Sequence, residues 1–248
     1  VSIGSALGPA LGSWIAQVVS INALFYTSSF LAFLSIAILY NMEETLPNKQ
    51  PLSWNALRIG RKDIFEPKVV PPSVVVFLTY FSFGAVLTLI PDFSDHLGVA
   101  NHGLYFLVYM TTSLLVRFLA GKVSDRYGRV EVVVVGCASL IVSMLVTGFA
   151  SNILLFFTGA VFFGFATGIL SPILTAWTVD LSEEHSRGRA MATMYIAMEV
   201  GIGIGAYLSA WLFDNRFENL WFVFVLNALL AFFALVYSLR QVQKSHVH

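Results

Sequence analysis

Charged residues are scarce in this sequence: Asp, Glu, Lys and Arg make up 11% of 248 residues, against roughly 25% in soluble domains. Hydrophobic residues make up 57%, and the mean hydropathy is +0.79. These values exclude an ordinary soluble domain and indicate an integral membrane protein. The 14 basic and 14 acidic residues balance, and no basic patch suited to nucleic acid is present.

Cysteine and metal-ligand clusters are also scarce. Cys137 is the only cysteine, so neither an internal disulfide nor a thiolate metal site is available. No Ser/His, paired-Asp or His-rich constellation lies within the apolar runs, so the sequence predicts no enzyme, no metal and no cofactor. One outer loop holds a few titratable groups, which we interpret as an exposed polar loop, with a metal or proton site as the alternative: Asp92, Asp95, His96 and His102.

Apolar runs of about 20 residues, the length that crosses a bilayer, predict an all-α protein with eight transmembrane helices. They lie at 1–18, 22–41, 71–91, 102–121, 131–150, 153–178, 188–213 and 219–239. Residues 42–70 are polar and contain three prolines, so they predict a cytoplasmic linker between residues 1–41 and residues 71–248. The chain starts at Val1 without an initiator Met or a signal peptide, so we expect a truncated chain whose first helix is incomplete.

Positive charge is distributed unevenly along this topology. Of the 14 Lys and Arg residues, all but Arg216 fall on one side of the predicted membrane. The positive-inside rule makes that side cytoplasmic. We therefore expect a multi-pass protein of the plasma (inner) membrane with a cytoplasmic C-terminus.

The stretch from Arg117 to Glu131 places several charges between two apolar runs, so it is predicted at a water interface. Within it, Gly121-Lys-Val-Ser-Asp125-Arg126-Tyr-Gly128-Arg129 resembles the G-x-x-x-D-R-x-G-R loop signature of the major facilitator superfamily, a large group of secondary transporters. The preceding Arg117 also fits many efflux-type members. Val130 departs from the pattern, because the family often has a second basic residue there.

The charged residues of this loop have two interpretations. As a generic charge run they would form only a solvated turn. The two glycines instead predict a tight turn that leaves Asp125 near a helix N-terminus. The resemblance implies that the loop latches the cytoplasmic side shut in one state, with Arg129 paired to an acid of a neighbouring helix, Asp180 first and Glu183 second.

An internal repeat relates the two ends of the chain. The segment from Gly4 to Trp14 aligns with that from Gly201 to Trp211. Both carry small residues at fourfold spacing, which predicts close helix packing or, alternatively, helices that slide during transport: Gly4, Gly8 and Gly12, and Gly201, Gly205 and Ser209. Gly8-Pro9 adds a bend. The Gly-x-x-x-Gly-Pro run resembles the fifth-helix signature of proton-coupled antiporters. This resemblance implies that the chain holds the fifth to twelfth helices of a twelve-helix transporter, whose N-terminal helices are then a partner of this chain.

Glu199 is the only acid deep inside a predicted span. Ionisable residues at that depth usually serve function, and two residues separate it from Gly201, about 200° around the helix axis. We expect it to face a water-filled cavity and to bind a proton or substrate; the alternative is a structural hydrogen bond. Further hydrogen bonds inside an apolar cavity are predicted from Tyr80, Tyr109 and Asn227.

Together these features predict a major-facilitator-type helical bundle. Its expected function is secondary active transport of a small molecule, by proton-coupled efflux with alternating access. A uniporter or an importer of a small metabolite is the alternative within this class. A non-transporting receptor or scaffold is the alternative outside it, and it leaves Glu199 and the charged loop unexplained.

Overall fold

The computed structural model describes residues 8, 11–16, 18–40 and 64–245, with only the backbone at 39, 40, 244 and 245. Within these residues there is no strand. Besides the helical residues 11–16, there are seven α-helices: α1 (Ile21–Tyr40), α2 (Val70–His96), α3 (Gly103–Tyr127), α4 (Arg129–Gly148), α5 (Ile153–Leu181), α6 (Arg187–Phe213) and α7 (Leu220–Ser245). All seven are long and apolar enough to cross a membrane. The predicted all-α membrane fold is therefore confirmed.

The predicted first helix and linker fall mainly on residues that the structure does not describe. Residues 11–16 are helical, in agreement with a helix over 1–18, but Gly4 and Pro9 lie outside the described residues. Of the linker over 42–70, only residues from 64 onward are described. There the chain makes a short 3₁₀ turn over Pro67–Val69 and passes directly into α2.

Several helices are longer than the apolar runs that predicted them. The run at 71–91 becomes Val70–His96, with Pro91 inside the helix, and the run at 102–121 becomes Gly103–Tyr127. Hydropathy detects the part of a helix that matches the hydrocarbon, whereas backbone hydrogen bonding continues into the polar interface. As a result, the expected loop between α3 and α4 consists of Gly128 alone.

Helices α2 to α7 form one bundle. Helix α2 packs against α6 and α7, α5 packs against both α3 and α4, and α4 packs against α7. Large side chains fill the interior, among them Tyr105, Phe156, Met144 and Leu140, all of which are almost fully buried. Helix α1 buries none of its described side chains within the structure.

Helices α2 and α6 touch backbone to backbone through glycines. A Cβ atom added at Gly205 would lie 2.2 Å from the carbonyl oxygen of Phe81, and one at Gly201 would lie 2.6 Å from that of Phe77. Gly84 meets the carbonyl of Ile202 from the other side, at 2.2 Å. The stripe predicted from the spacing of Gly201 and Gly205 therefore packs against α2, as small residues do where helices approach closely in a bilayer.

The corresponding stripe near the start of the chain makes no comparable contact among the described residues. A Cβ at Gly12 would meet only the end of the Leu24 side chain, at 3.3 Å, and one at Gly8 would meet nothing within 4 Å. The close packing predicted for Gly8 and Gly12 is thus not seen in the part of the chain that the structure describes.

We predict that Gly205→Ala destabilises the bundle while Gly203→Ala does not. At Gly205 the new methyl group would push against the Phe81 backbone, which costs about 1–3 kcal/mol. At Gly203 it would meet nothing, and replacing glycine within a helix gains about 0.5–1 kcal/mol. Thermal unfolding of both variants in the same detergent measures the difference, and equal midpoints would contradict the described contact.

Candidate functional site

Gly128 makes the turn between α3 and α4. Its φ is 104°, in the region that favours glycine, and an added Cβ would lie 2.0 Å from Oε2 of Glu131. Asp125 therefore belongs to the last turn of α3 and not to a loop, while its carboxylate contacts Arg129, the residue at the N-terminus of α4. The tight turn needs only one glycine: Gly121 lies inside α3, and a Cβ there would meet nothing within 4 Å.

Arg129, the first residue of α4, connects three helix ends at the cytoplasmic end predicted by charge. Its Nη1 donates to Oδ1 of Asp125 at 2.5 Å and to the Ser124 hydroxyl at 3.0 Å. Its Nε donates to Oδ2 of Asp180, at the end of α5, at 2.9 Å. The pair expected between Arg129 and Asp180 is thus formed within this bundle, and the guanidinium bridges two carboxylates with one charge-assisted hydrogen bond to each.

Glu183, the second candidate partner for Arg129, binds a different cation. The Lys68 ammonium donates to Oε1 of Glu183, and this hydrogen bond and charge hold the pKa of Glu183 below its ordinary value. The pair is therefore charged at neutral pH. Its contribution to the stability of the folded protein is lost as the pH falls through the titration of the Glu183 carboxylate. Nearby, Nη2 of Arg189 lies 3.2 Å from Oε2 of the buried Glu66.

Two other residues of the predicted loop lie apart from this ion-pair cluster. Arg126 is exposed and lies over the ring of Tyr127, 5.4 Å from its centroid. Arg117 lies inside α3, ten residues before its end, or about 15 Å along the axis, and is half-buried. It falls within the apolar run at 102–121, and α3 continues six residues beyond that run, to Tyr127.

A small polar cavity of about 70 Å³ lies between α2, α5 and α6. It is lined by Val76, Tyr80, Ser171, Leu174, Thr175, Met194, Tyr195 and Met198. Of these, only Tyr80 was predicted as a cavity residue. Ser171 and Thr175 are one turn apart on α5, and the Thr175 hydroxyl donates to the Ser171 carbonyl at 2.9 Å. Two hydroxyl residues one turn apart, next to Pro172 in an otherwise apolar run, are the feature of the sequence from which this cavity could have been predicted.

Glu199 follows Met198 on α6, twelve residues from the helix start, or about 18 Å along the axis. It lies on the exposed side of the helix, opposite the buried Gly201 and Gly205. Glu199 is not among the residues that line the polar cavity, whereas Tyr195, one turn earlier, and the adjacent Met198 line it. Among the described residues, Glu199 is the only Asp or Glu that lies more than two turns from both ends of a spanning helix.

Two predicted cavity residues are buried elsewhere. Tyr109 is 2% exposed, and its ring packs 5.2 Å from that of Phe163. Asn227 is fully buried, and its Nδ2 donates to the Val223 carbonyl of its own helix at 2.9 Å. Neither lines the polar cavity. The sequence shows that each is a polar residue in an apolar run, but it does not show which neighbouring helices its side chain meets.

At the opposite end of the bundle, Nε2 of His102 lies 2.6 Å from Oδ1 of Asp95. The His96 ring stacks on Phe217 with centroids 4.1 Å apart. Across the described residues, no three His, Cys, Asp or Glu side chains are arranged to hold a metal ion. This outer loop is therefore a set of paired and stacked side chains.

Seven spanning helices, charges collected at one end and a polar cavity inside the bundle define a multi-pass membrane protein with the features of a transporter. The sequence pattern of the Major Facilitator Superfamily matches residues 1–100 and 72–247. The chain therefore belongs to the Major Facilitator Superfamily.

Relatives in this superfamily are transporters of several kinds. A triacylglyceride transporter of Mycolicibacterium smegmatis is 29% identical over 67% of this chain and 31% of its own length. Multidrug resistance protein 1 of Bacillus subtilis is 24% identical over 68% of this chain and 44% of its own length. The staphylopine export protein of Staphylococcus aureus is 21% identical over 84% and 55%. The chain thus spans about a third to a half of these relatives.

We predict that Arg129 and Asp180 are energetically coupled. Both side chains are partly exposed, at 29% and 51%, so their coupling should be about 0.2–1 kcal/mol. A double-mutant cycle with Arg129→Gln and Asp180→Asn, followed by thermal unfolding, measures it. The same cycle with Arg129→Gln and the exposed Glu184→Gln serves as the control and should show none. Equal coupling in both cycles would contradict a specific pair.

Proposed function

We propose that this chain is part of a proton-coupled exporter that moves a small molecule across the plasma membrane by alternating access. Membership of the superfamily supports transport, and relatives named for multidrug resistance and staphylopine export support the outward direction. The observation that carries the proposal is Glu199, a carboxylate near the middle of a spanning helix and one turn from a polar cavity.

A carboxylate at this depth suits proton exchange for an electrostatic reason. Its ionised form is costly next to hydrocarbon but well solvated in water, so its protonation follows the environment of the helix face. When the cavity opens to one side, water reaches Glu199 and takes its proton. When it opens to the other side, the proton is rebound, and transport is linked to this exchange.

In the proposal, the Arg129 cluster stabilises the state that is closed on the cytoplasmic side. The guanidinium ties the ends of α3, α4 and α5 together through Asp125 and Asp180. Each contact is partly exposed, so the cluster can open and close at a cost of only a few kcal/mol or less. This is the behaviour required of a latch between two states of similar free energy.

Further helices of the same protein complete the proposed transporter. The relatives are two to three times as long as their aligned regions. We propose that residues 1–41 hold the fifth and sixth of twelve helices, that residues 42–70 form a cytoplasmic linker, and that further helices of the same protein pack against the exposed α1. The C-terminus is then cytoplasmic, on the side of the basic helix ends.

We predict that Glu199→Gln abolishes proton release when a lipophilic cation binds. The glutamine keeps the size of the side chain, but its amide group does not ionise and so releases no proton. Purified protein is mixed with tetraphenylphosphonium in weakly buffered detergent solution, and the pH change is recorded. Glu218→Gln, which alters an exposed glutamate at a helix end, is the matched control and should release protons normally. Unchanged release from Glu199→Gln would remove this residue from the proposal.

We also predict that Asp125→Asn lowers transport while leaving membrane insertion intact. The substitution removes the charge that holds Nη1 of Arg129, but it lies at a helix end and leaves every span apolar. Efflux from vesicles should fall several-fold, whereas the amount of protein in the membrane should match the wild type. Normal efflux would mean that this ion pair does not take part in the cycle.

A further inference from the structure

The chain just before α2 runs across the beginning of α6, and we call residues 64–69 the strap. The backbone of Glu66 is extended, with φ −117° and ψ 108°, and it leads into the 3₁₀ turn that precedes α2. Every second residue of the strap makes a polar contact with α6 or with the turn before it: Ile64, Glu66 and Lys68. The strap is thus the end of the proposed linker, bound to a second helix before it enters α2.

Thr193, in the second turn of α6, holds the backbone of the strap. Its hydroxyl donates to the Ile64 carbonyl at 2.8 Å, with the Arg189 carbonyl of its own helix as a second acceptor at 3.0 Å. The same hydroxyl accepts the Glu66 N–H at 2.9 Å. Thr193 and Glu66 are both buried. Losing these bonds would therefore leave backbone groups without a partner in a place that water does not reach freely.

Two ion pairs continue the attachment toward α2. Nη2 of Arg189, one turn before Thr193 on α6, lies 3.2 Å from Oε2 of Glu66. The Lys68 ammonium donates to Oε1 of Glu183, in the turn between α5 and α6. As the strap runs forward from residue 64 to residue 68, its partners run backward along the chain. The strap therefore lies antiparallel to α6 and crosses the first two turns of that helix.

Burial distinguishes the strap from the Arg129 cluster. The Glu66 side chain is only 9% exposed, whereas Asp125 and Asp180 in the cluster are 65% and 51% exposed. Separating a buried carboxylate from its cation is costly, because the charge is left with neither partner nor water. Exposed pairs separate at little cost. The strap therefore has the character of a joint that stays closed, and the Arg129 cluster that of a latch that opens.

We propose that the strap is a permanent joint through which α6 moves together with the linker. The linker reaches α6 at Thr193 before it enters α2, so a displacement of the linker is passed to the first turns of α6. Glu199 lies six residues beyond Thr193 on the same unbroken helix, about 9 Å along the axis. The inference rests on the proposed alternating-access cycle, in which Thr193 and Glu66 are positioning residues for the Glu199 carboxylate.

The first test measures whether Thr193 holds the strap. The whole transporter is placed in deuterated buffer, and amide exchange in residues 64–69 is followed by mass spectrometry. Valine in Thr193→Val keeps the shape of threonine but cannot accept the Glu66 N–H, so exchange in the strap should become several-fold faster. In the control, Thr158→Val, the lost hydroxyl donates to Leu154 within α5, and the strap should exchange as in the wild type. Equal exchange in Thr193→Val and wild type would overturn the proposal.

The second test asks whether the joint stays closed when the latch is weakened. In Asp125→Asn, the ends of α3 and α5 should exchange several-fold faster than in the wild type, while the strap keeps its protection. Loss of protection in the strap together with those helix ends would overturn a permanent joint. Should Thr193→Val not fold, Glu66→Gln, which removes the charge that faces Arg189, replaces it in the first test.

A positioning role for Glu199 is read from the pH dependence of proton release. Release on binding of tetraphenylphosphonium is measured over a series of starting pH values. Thr193→Val should shift the pH of half-maximal release, and Thr158→Val should not. A variant that is merely less stable would lower the amplitude without moving this midpoint, and an unmoved midpoint would overturn the positioning role. Absence of release from the wild type would contradict the proposed function, whereas the exchange measurements would still decide whether the strap is a joint.

Discussion

The glycine contact between α2 and α6 determines which faces of α6 are left to line cavities or to carry Glu199. Gly84, Gly201 and Gly205 bring the two backbones together along one face of α6. With that face fixed, the rest of the α6 surface is divided by helical geometry. The polar cavity lies on one flank, an apolar groove lined by Ile196, Ala197 and Val200 lies on the other, and Glu199 lies opposite the contact. A bilayer offers no hydrophobic drive between helices, so close backbone packing is the force that can set this rotation.

The orientation of α6 about its own axis also determines the free-energy cost of placing the Glu199 carboxylate within a spanning helix. Were α6 turned by half a revolution, the carboxylate would lie in the glycine contact, where there is no room and no partner. In the observed orientation it lies on the open side of the helix, one turn from Tyr195 of the cavity. The ion pairs at the helix ends then set how those ends can separate, since Arg129 joins α3, α4 and α5 and Arg189 joins the start of α2 to α6.

Much of the fold could be predicted from the sequence because a bilayer leaves few choices. Apolar runs located the helices, and fourfold spacing identified Gly201 and Gly205 as a packing face. The sequence could not show where helices end beyond the hydrocarbon, so residues 122–127 are predicted as loop although they belong to α3. It also could not show which face of a span is buried, so Tyr109 and Asn227 were placed in a cavity although both pack inside the bundle. Charge complementarity at a helix end was more informative, because Asp180 is the acid at the end of α5 that Arg129 contacts.

Proton exchange as the driving force of outward transport can be tested most directly with inverted vesicles that hold the whole transporter. The membrane potential is clamped with potassium and valinomycin, an inside-acid pH gradient is imposed, and uptake of tetraphenylphosphonium is followed. We expect accumulation above equilibrium that disappears when the pH gradient is collapsed. Uptake that only reaches equilibrium, or accumulation that is unaffected by the pH gradient, would contradict proton-coupled export.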